Sequence, residues 1–276
     1  MQELYDILKC PDCGGSISSE KCLCLVCQRD FSAQGSGIIS MLPLKAKEVP
    51  AAYSDPDYIK WQKMFPHVFE SRGMAHTMID ESTHRWTASA FAQQKYRNNG
   101  WIADLGCGVR DGFGQENIPD KSIGIDINKS YLEKLRENNQ GRLLIQADME
   151  SLPLQDGVVR YCFVLHALEH IYNLKKAVEE IERVTEAGGY IYIGLPCEGG
   201  WLRDIIRSMT TARRNSRRFG IDYEKVCRIE HCQKAYNVIR ILKQRFKMTR
   251  SYFFPFSVMP SLDFNLTVSF EFQKVV

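Results

Sequence analysis

Residues 101–108 read WIADLGCG, and this stretch decides the fold. Trp101 to Leu105 is a short apolar run interrupted only by Asp104, long enough for a buried strand and too short for a helix. Gly106 and Gly108 follow at once, so the chain can turn sharply there and its backbone can approach a ligand closely. Similar runs recur downstream. SIGIDI (122–127) precedes the helical stretch SYLEKLREN, and RLLIQAD (142–148) and VVRYCFVLHA (158–167) are the third and fourth strands. YIYIGLP (190–196) is the fifth, after the amphipathic LKKAVEEIERVT, which Gly188 and Gly189 are expected to close. Near-continuous apolar strands alternating with helices specify a parallel sheet covered on both faces. In such sheets ligands bind beyond the carboxyl ends of the strands. Asp126 ends the second strand, about twenty residues after the glycines, where a carboxylate accepts hydrogen bonds from ribose hydroxyls. Asp148 ends the third, placed to bond an exocyclic amine. The G-x-G-x-x-G order of nicotinamide-binding folds is absent, because the third glycine position holds Asp111.

Five stretches, WIADLGCG, IGIDI, QADMESLPLQDG, VLHALEHI and TEAGGYIYIGLP, occur in an order and spacing that resembles the successive motifs of class I S-adenosylmethionine-dependent methyltransferases of the type-11-like kind. The resemblance covers roughly residues 98–197. It implies an α/β, Rossmann-like sheet of seven strands, with S-adenosylmethionine as the cofactor. It also implies that Asp104, Gly106 and Gly108 surround the methionine part of the cofactor and that Asp126, with Ile127, holds the ribose. Asp148 and Met149 would meet the adenine, and Leu165 and His166 would line the sulfonium side. Arg110 stands where the family often has a further glycine; it either pairs with the cofactor's carboxylate or points to solvent.

The N-terminal stretch LKCPDCGGSISSEKCLCLVC carries five of the ten cysteines. Cys10 and Cys13 form one C-x2-C pair and Cys24 and Cys27 another, the spacing that presents four thiolates to one tetrahedral zinc ion. Cys22 is left unligated, since pairing it with Cys27 gives a poorer spacing for a hairpin tip. A site closed by four protein thiolates is structural and not catalytic. A zinc ribbon is therefore expected over 1–42, a linker over 43–57 and the methyltransferase domain over 58–276. A ribbon joined to such a domain resembles either the bacterial rRNA guanine-N1 methyltransferases or enzymes with a ribbon like that of the tRNA-methyltransferase activator protein.

The 276 residues are 44% hydrophobic and 25% charged, with a net charge of +3, which by itself does not indicate nucleic acid. No apolar run reaches the length of a membrane span, and the start MQELYDILK has neither the basic nor the apolar region of a secretory signal. A cytoplasmic location follows as an expectation, and with it reduced thiols.

Methyl transfer is an in-line displacement in which the protein aligns the nucleophile and, for a hydroxyl, removes its proton. Candidate bases are His166, His170, His231 and Glu198. Beyond the fifth strand an insert over about 199–230 carries six arginines against one acid in GGWLRDIIRSMTTARRNSRRFG. It is expected to cap the site, and its guanidinium forks suit carboxylates or phosphates. Two final strands are expected in MTRSYFFPFSVM and LTVSFEFQK, the last antiparallel. Three functions fit: methyl transfer to a small, anionic or sugar-type acceptor, methylation of rRNA with the ribbon gripping RNA, or a non-catalytic cofactor-binding partner. The ribbon's acidic residues outnumber its basic ones, which argues against RNA there.

Overall fold

The computed structural model describes residues 2–33, 37–45, 50–70, 74–94, 100–109, 121–138 and 142–275, without the side chains of 66–70 and 74–77. Arg110 and Asp111 lie outside the described residues.

Alternating apolar runs become one mixed sheet. Its strands are β1 (Ile39–Ser40), β2 (Trp101–Leu105), β3 (Ser122–Asp126), β4 (Leu143–Gln146), β5 (Val159–Leu165), β6 (Thr185–Pro196), β7 (Lys247–Phe254) and β8 (Thr267–Gln273). The spatial order is β1-β4-β3-β2-β5-β6-β8-β7. Strands β1 to β6 run parallel, whereas β8 pairs antiparallel with both β6 and β7. The seven strands β2 to β8 make up the expected methyltransferase sheet. The eighth, β1, comes from the N-terminal region and pairs Ile39 with Ile145 and Ser40 with Gln146.

The helices are α1 (Gln2–Tyr5), α2 (Pro56–Glu70), α3 (Met74–Ala92), α4 (Lys129–Asn138), α5 (Leu174–Val184), α6 (Trp201–Ile206), α7 (Arg213–Phe219), α8 (Tyr223–Glu230) and α9 (Ala235–Arg245). Between α6 and α7, residues Arg207–Ala212 form a π turn with right-handed helical backbone at both junctions, so 201–219 is one continuous helix. Helix α5 ends at Val184, four residues before the glycines expected to close it, because Thr185 turns extended and its N–H still reaches Ile181 O. Gly188, at φ +73°, serves the irregularity at the start of β6 instead.

Period-two alternation sorts the sheet into two faces. Ala103, Leu105, Cys162, Val164, Ile191 and Ile193 point into the main core with α5 and α9. Their neighbours Ile102, Tyr161, Phe163 and Tyr192 pack on the other face against Phe91 of α3. The main core does not stop at the sheet. Leu4, Tyr5, Leu8, Phe31, Ile39 and Met41 of the N-terminal region are buried in the same cluster. Leu8 also bridges to Leu154, and Lys9 N donates to Pro153 O at 3.1 Å.

Candidate active site and four-cysteine cluster

The strand ends converge on a cavity of about 740 Å³, within the size range of small-molecule sites. Its floor is made of Gly106, Gly108, Asp126, Ile127, Asp148, Met149, Leu165 and His166, which therefore share one wall. Gly106 sits at φ +72°, and a Cβ there would stand 2.5 Å from the Ala167 Cβ, so no larger residue fits the turn. Gly108 lies at φ +57°, and a Cβ there would meet no atom of the described residues within 4 Å.

Asp126 is buried, and burial pushes its carboxyl above the usual range while backbone N–H groups pull it back. It accepts from Gly108 N at 2.9 Å and from Asn128 N at 2.8 Å, which fixes both oxygens at the cavity wall. Asp148 accepts from Glu150 N at 2.9 Å as the cap of a short 3-10 turn. Asp104 is placed differently. It is buried beneath the glycine turn, 2.9 Å from Arg142 Nη2, and is not among the cavity-lining residues. A buried pair of this kind holds the loop; removing one partner costs about 3–5 kcal/mol.

Elements far away in sequence supply the roof. Tyr53, Tyr58, Trp61 and Phe65 from the region of α2, and Arg203, Ile206, Arg207 and Thr211 from the 201–219 helix, close over the floor together with Glu198 and His231. Trp61 stacks edge-on against Tyr223 at 5.0 Å and Phe219 at 5.9 Å, giving the cap a small core of its own.

The four candidate bases all line this cavity but stand in different chemistry. Glu198 accepts from Arg203 Nε at 3.0 Å, Arg207 Nη1 at 2.5 Å and His231 Nδ1 at 2.7 Å. Burial opposes its charge, but His231 and the two guanidiniums outweigh that and hold the carboxyl well below the usual range. A carboxylate so held is a weak base. His231, by contrast, is oriented by Glu198, since a ring that donates from Nδ1 keeps its Nε2 lone pair. His170 donates from Nδ1 to Glu230 O at 2.9 Å. It is surrounded by protein although its ring opens onto the cavity, and burial lowers its pKa to about 3, so it stays neutral. His166 ends β5 with φ +53°, a left-handed conformation that turns the chain at the strand end.

Glu169, in the LEH turn after β5, was not among the candidate bases. It is 3% exposed, its Oε2 has no hydrogen-bond partner among the described residues, and burial raises its carboxyl to about 7. Oε1 lies 3.9 Å from His166 Nδ1 and 4.0 Å from His170 Nε2.

In the N-terminal region Cys10, Cys13, Cys24 and Cys27 bring their sulfurs within 4.8 Å of one another. Cys13 and Cys24 are 3.4 Å apart and Cys10 and Cys27 3.6 Å. Zn–S bonds of about 2.3 Å in a tetrahedron put sulfurs roughly 3.8 Å apart, so this set could hold a zinc ion. Val26 N and Cys27 N both point at the Cys24 sulfur at 3.4 Å, stabilising a thiolate. Cys22 stays outside the cluster, with its sulfur 3.0 Å from the Tyr5 hydroxyl.

With this geometry in place, comparison with known proteins is decisive for the fold. Residues 103–193 match the family model described as a methyltransferase domain. The fold is the α/β, Rossmann-like methyltransferase fold. The malonyl-[acyl-carrier protein] O-methyltransferase of Hamiltonella defensa subsp. Acyrthosiphon pisum (strain 5AT) is 30% identical over 94 residues, covering 33% of this chain and 36% of that protein. The protein of that name from Yersinia pestis is 28% identical over 138 residues, 49% of each chain. The chain thus spans between a third and a half of the length of these curated relatives. A solved S-adenosylmethionine-dependent methyltransferase of Thermotoga maritima superposes with a TM-score of 0.50 at 13% identity, over 79% of this chain and 99% of that one, a likeness of fold. The cavity floor fits the cofactor that the matched family implies: among the described residues Gly108 faces open space beside the fixed oxygens of Asp126, and Asp148 lines the same cavity.

Proposed function

We propose that the protein transfers a methyl group from S-adenosylmethionine to a hydroxyl of a small acceptor that also carries an anionic group, such as an acidic sugar. The observation that carries this reading is the single cavity whose floor is the cofactor wall and whose roof presents Arg203, Arg207 and His231. When bound, the cofactor supplies the activated methyl. Asp126 would hold its ribose, Asp148 and Met149 its adenine, and Gly106, Gly108 and Leu165 the space around its methionine end. Arg207 keeps a buried Nε–H without a hydrogen-bond partner among the described residues, a donor suited to an oxygen of the acceptor's anion. His231, held by Glu198, takes the hydroxyl proton at Nε2. Glu198 is then the group that orients the base and anchors the cap. In the N-terminal module the four cysteines hold zinc as a structural ion.

The test is methyl transfer from labelled S-adenosylmethionine into separated RNA, protein and small-molecule fractions of a cell extract. Label in the small-molecule fraction, lost with His231→Ala and requiring more acceptor with Arg207→Gln, is the expected result. The relatives named for malonyl-[acyl-carrier protein] suggest a carboxylate acceptor instead. A carboxylate has no proton to lose, so transfer that survives His231→Ala would favour it. Label in RNA would overturn the small-acceptor reading.

A further inference from the structure

The cap helix has two rows of side chains, and the cavity uses only one. Arg203, Arg207 and Thr211, four residues apart, line the cavity. Trp201, Ile205 and Met209 form the second row, two residues out of step and so on the far side of the helix. They are 61%, 37% and 65% exposed. The loop between β7 and β8 adds to this outer surface. Trp201 meets Phe264 edge-on at 6.5 Å, and Trp201 N lies 3.4 Å from Asp263 Oδ1. Phe256, Val258, Met259 and Phe264 of that loop are all exposed, Val258 to 88%. Past the π turn the helix turns basic: Arg213, Arg214, Arg217 and Arg218 are exposed and make no ion pair among the described residues. No helix of the described chain is long and apolar enough to cross a membrane.

We infer that this outer face of the cap, Trp201, Ile205 and Met209 with the Phe256–Phe264 loop and the four arginines, lies on the surface of an anionic phospholipid bilayer. A helix of about 28 Å with apolar side chains on one side and unneutralised arginines beside them has the build of an interfacial helix. The apolar side chains enter the boundary of the acyl region, and the guanidiniums stay at the phosphates by extending along it. Charge complementarity selects the occupant. RNA would use the arginines and would stack on Trp201, Phe256 and Phe264, but it has no use for the exposed isoleucine, valine and two methionines that make up the rest of the face. Because Ile206 is both cavity-lining and exposed, the mouth of the cavity opens beside this face.

The experiment is co-sedimentation of the full chain with extruded vesicles of phosphatidylcholine, alone or doped with phosphatidylglycerol, at low and high salt. Binding to the doped vesicles only, weakened by salt, is expected. The quadruple Arg213→Gln, Arg214→Gln, Arg217→Gln, Arg218→Gln variant should lose about tenfold or more in partitioning. Met209→Glu and Val258→Glu, both at exposed positions, should each lower it further. Calorimetric binding of S-adenosylhomocysteine should be unchanged in every variant, which separates failure here from failure of the methyltransferase reading. No sedimentation, equal sedimentation with neutral vesicles, or indifference to Met209→Glu and Val258→Glu would overturn the inference. RNA retention that depends on the arginines but not on the apolar residues would reassign the face to RNA.

Discussion

The N-terminal four-cysteine module and the helical cap are both additions to one sheet, and different forces attach them. The module shares the main core: Leu8, Phe31 and Met41 are fully buried among sheet residues. Its ion pairs to the body, Lys9 with Asp156 at 3.5 Å and Glu3 with Lys121 at 3.0 Å, lie at the surface. The cap has a separate cluster around Trp61, Ile221 and Val226, and it is fastened over the cavity by the charges that meet at Glu198. An apolar seam is not weakened by charge screening. A charged clasp responds to pH, salt and ligand. The lesson is that the apolar addition lends the cavity none of its described lining residues, and the charged one forms its roof.

Mutations can break or sharpen this contrast. Cys24→Ser should have the largest effect, because a structural zinc contributes roughly 10 kcal/mol or more to small thiolate modules. Since the module is welded to the core, the whole domain should melt earlier by calorimetry, and a chelator should reproduce the shift; a chain whose melting ignores both would break the comparison. Glu198→Ala comes next, leaving two guanidiniums and His231 without their shared acceptor, at a cost of about 3–5 kcal/mol. Proteolysis within 201–230 should rise while affinity for S-adenosylhomocysteine holds. Glu169→Gln tests the cavity's other buried acid. Its folded pKa of about 7 lies above the usual value, so the wild-type fold binds the extra proton and loses stability as pH rises from about 4.5 through 7. The variant's advantage in melting temperature should therefore grow over that window and level off above it, at about 3 kcal/mol at most. His170 titrates in the opposite sense, so the comparison is between variant and wild type at each pH. Lys9→Ala should change stability least, by about 0.5 kcal/mol or less, because the weld is apolar. A larger loss would show that the module, too, is held by charge.

The sheet was legible because each strand is a short, nearly unbroken apolar run ending in glycine or aspartate, a local signal. The C-x2-C pairs were legible for the same reason. What the sequence hid depends on partners distant along the chain. Nothing in Ile39 and Ser40 announces a strand; they become one only where β4 offers its edge. Tyr53 lay in what reads as linker, and Trp61 and Phe65 were visible as aromatics at helical spacing, but only the fold turns them into a cavity wall. Asp104 reads as part of the cofactor site, and its pairing with Arg142, 38 residues on, is visible only in the fold. Glu198 and Glu169 look alike as carboxyls after strand ends. Arg203, Arg207 and His231 hold one of them charged, while burial raises the other to about 7.

The two-residue strand β1 has a consequence beyond packing. A parallel sheet that ended at β4 would present a row of free backbone N–H and C=O groups, a template on which another chain could add itself. Ile39 and Ser40 occupy that row, and Met41 N extends the cover by donating to Gln146 O at 2.7 Å. The strand that replaces the open edge is too short to serve as a template in turn. The cysteine module is in this sense a guard against self-association: a chain cut at residue 42 would expose both the β4 edge and the apolar seat of Leu8 and Met41, and it should gather into aggregates before it could be assayed.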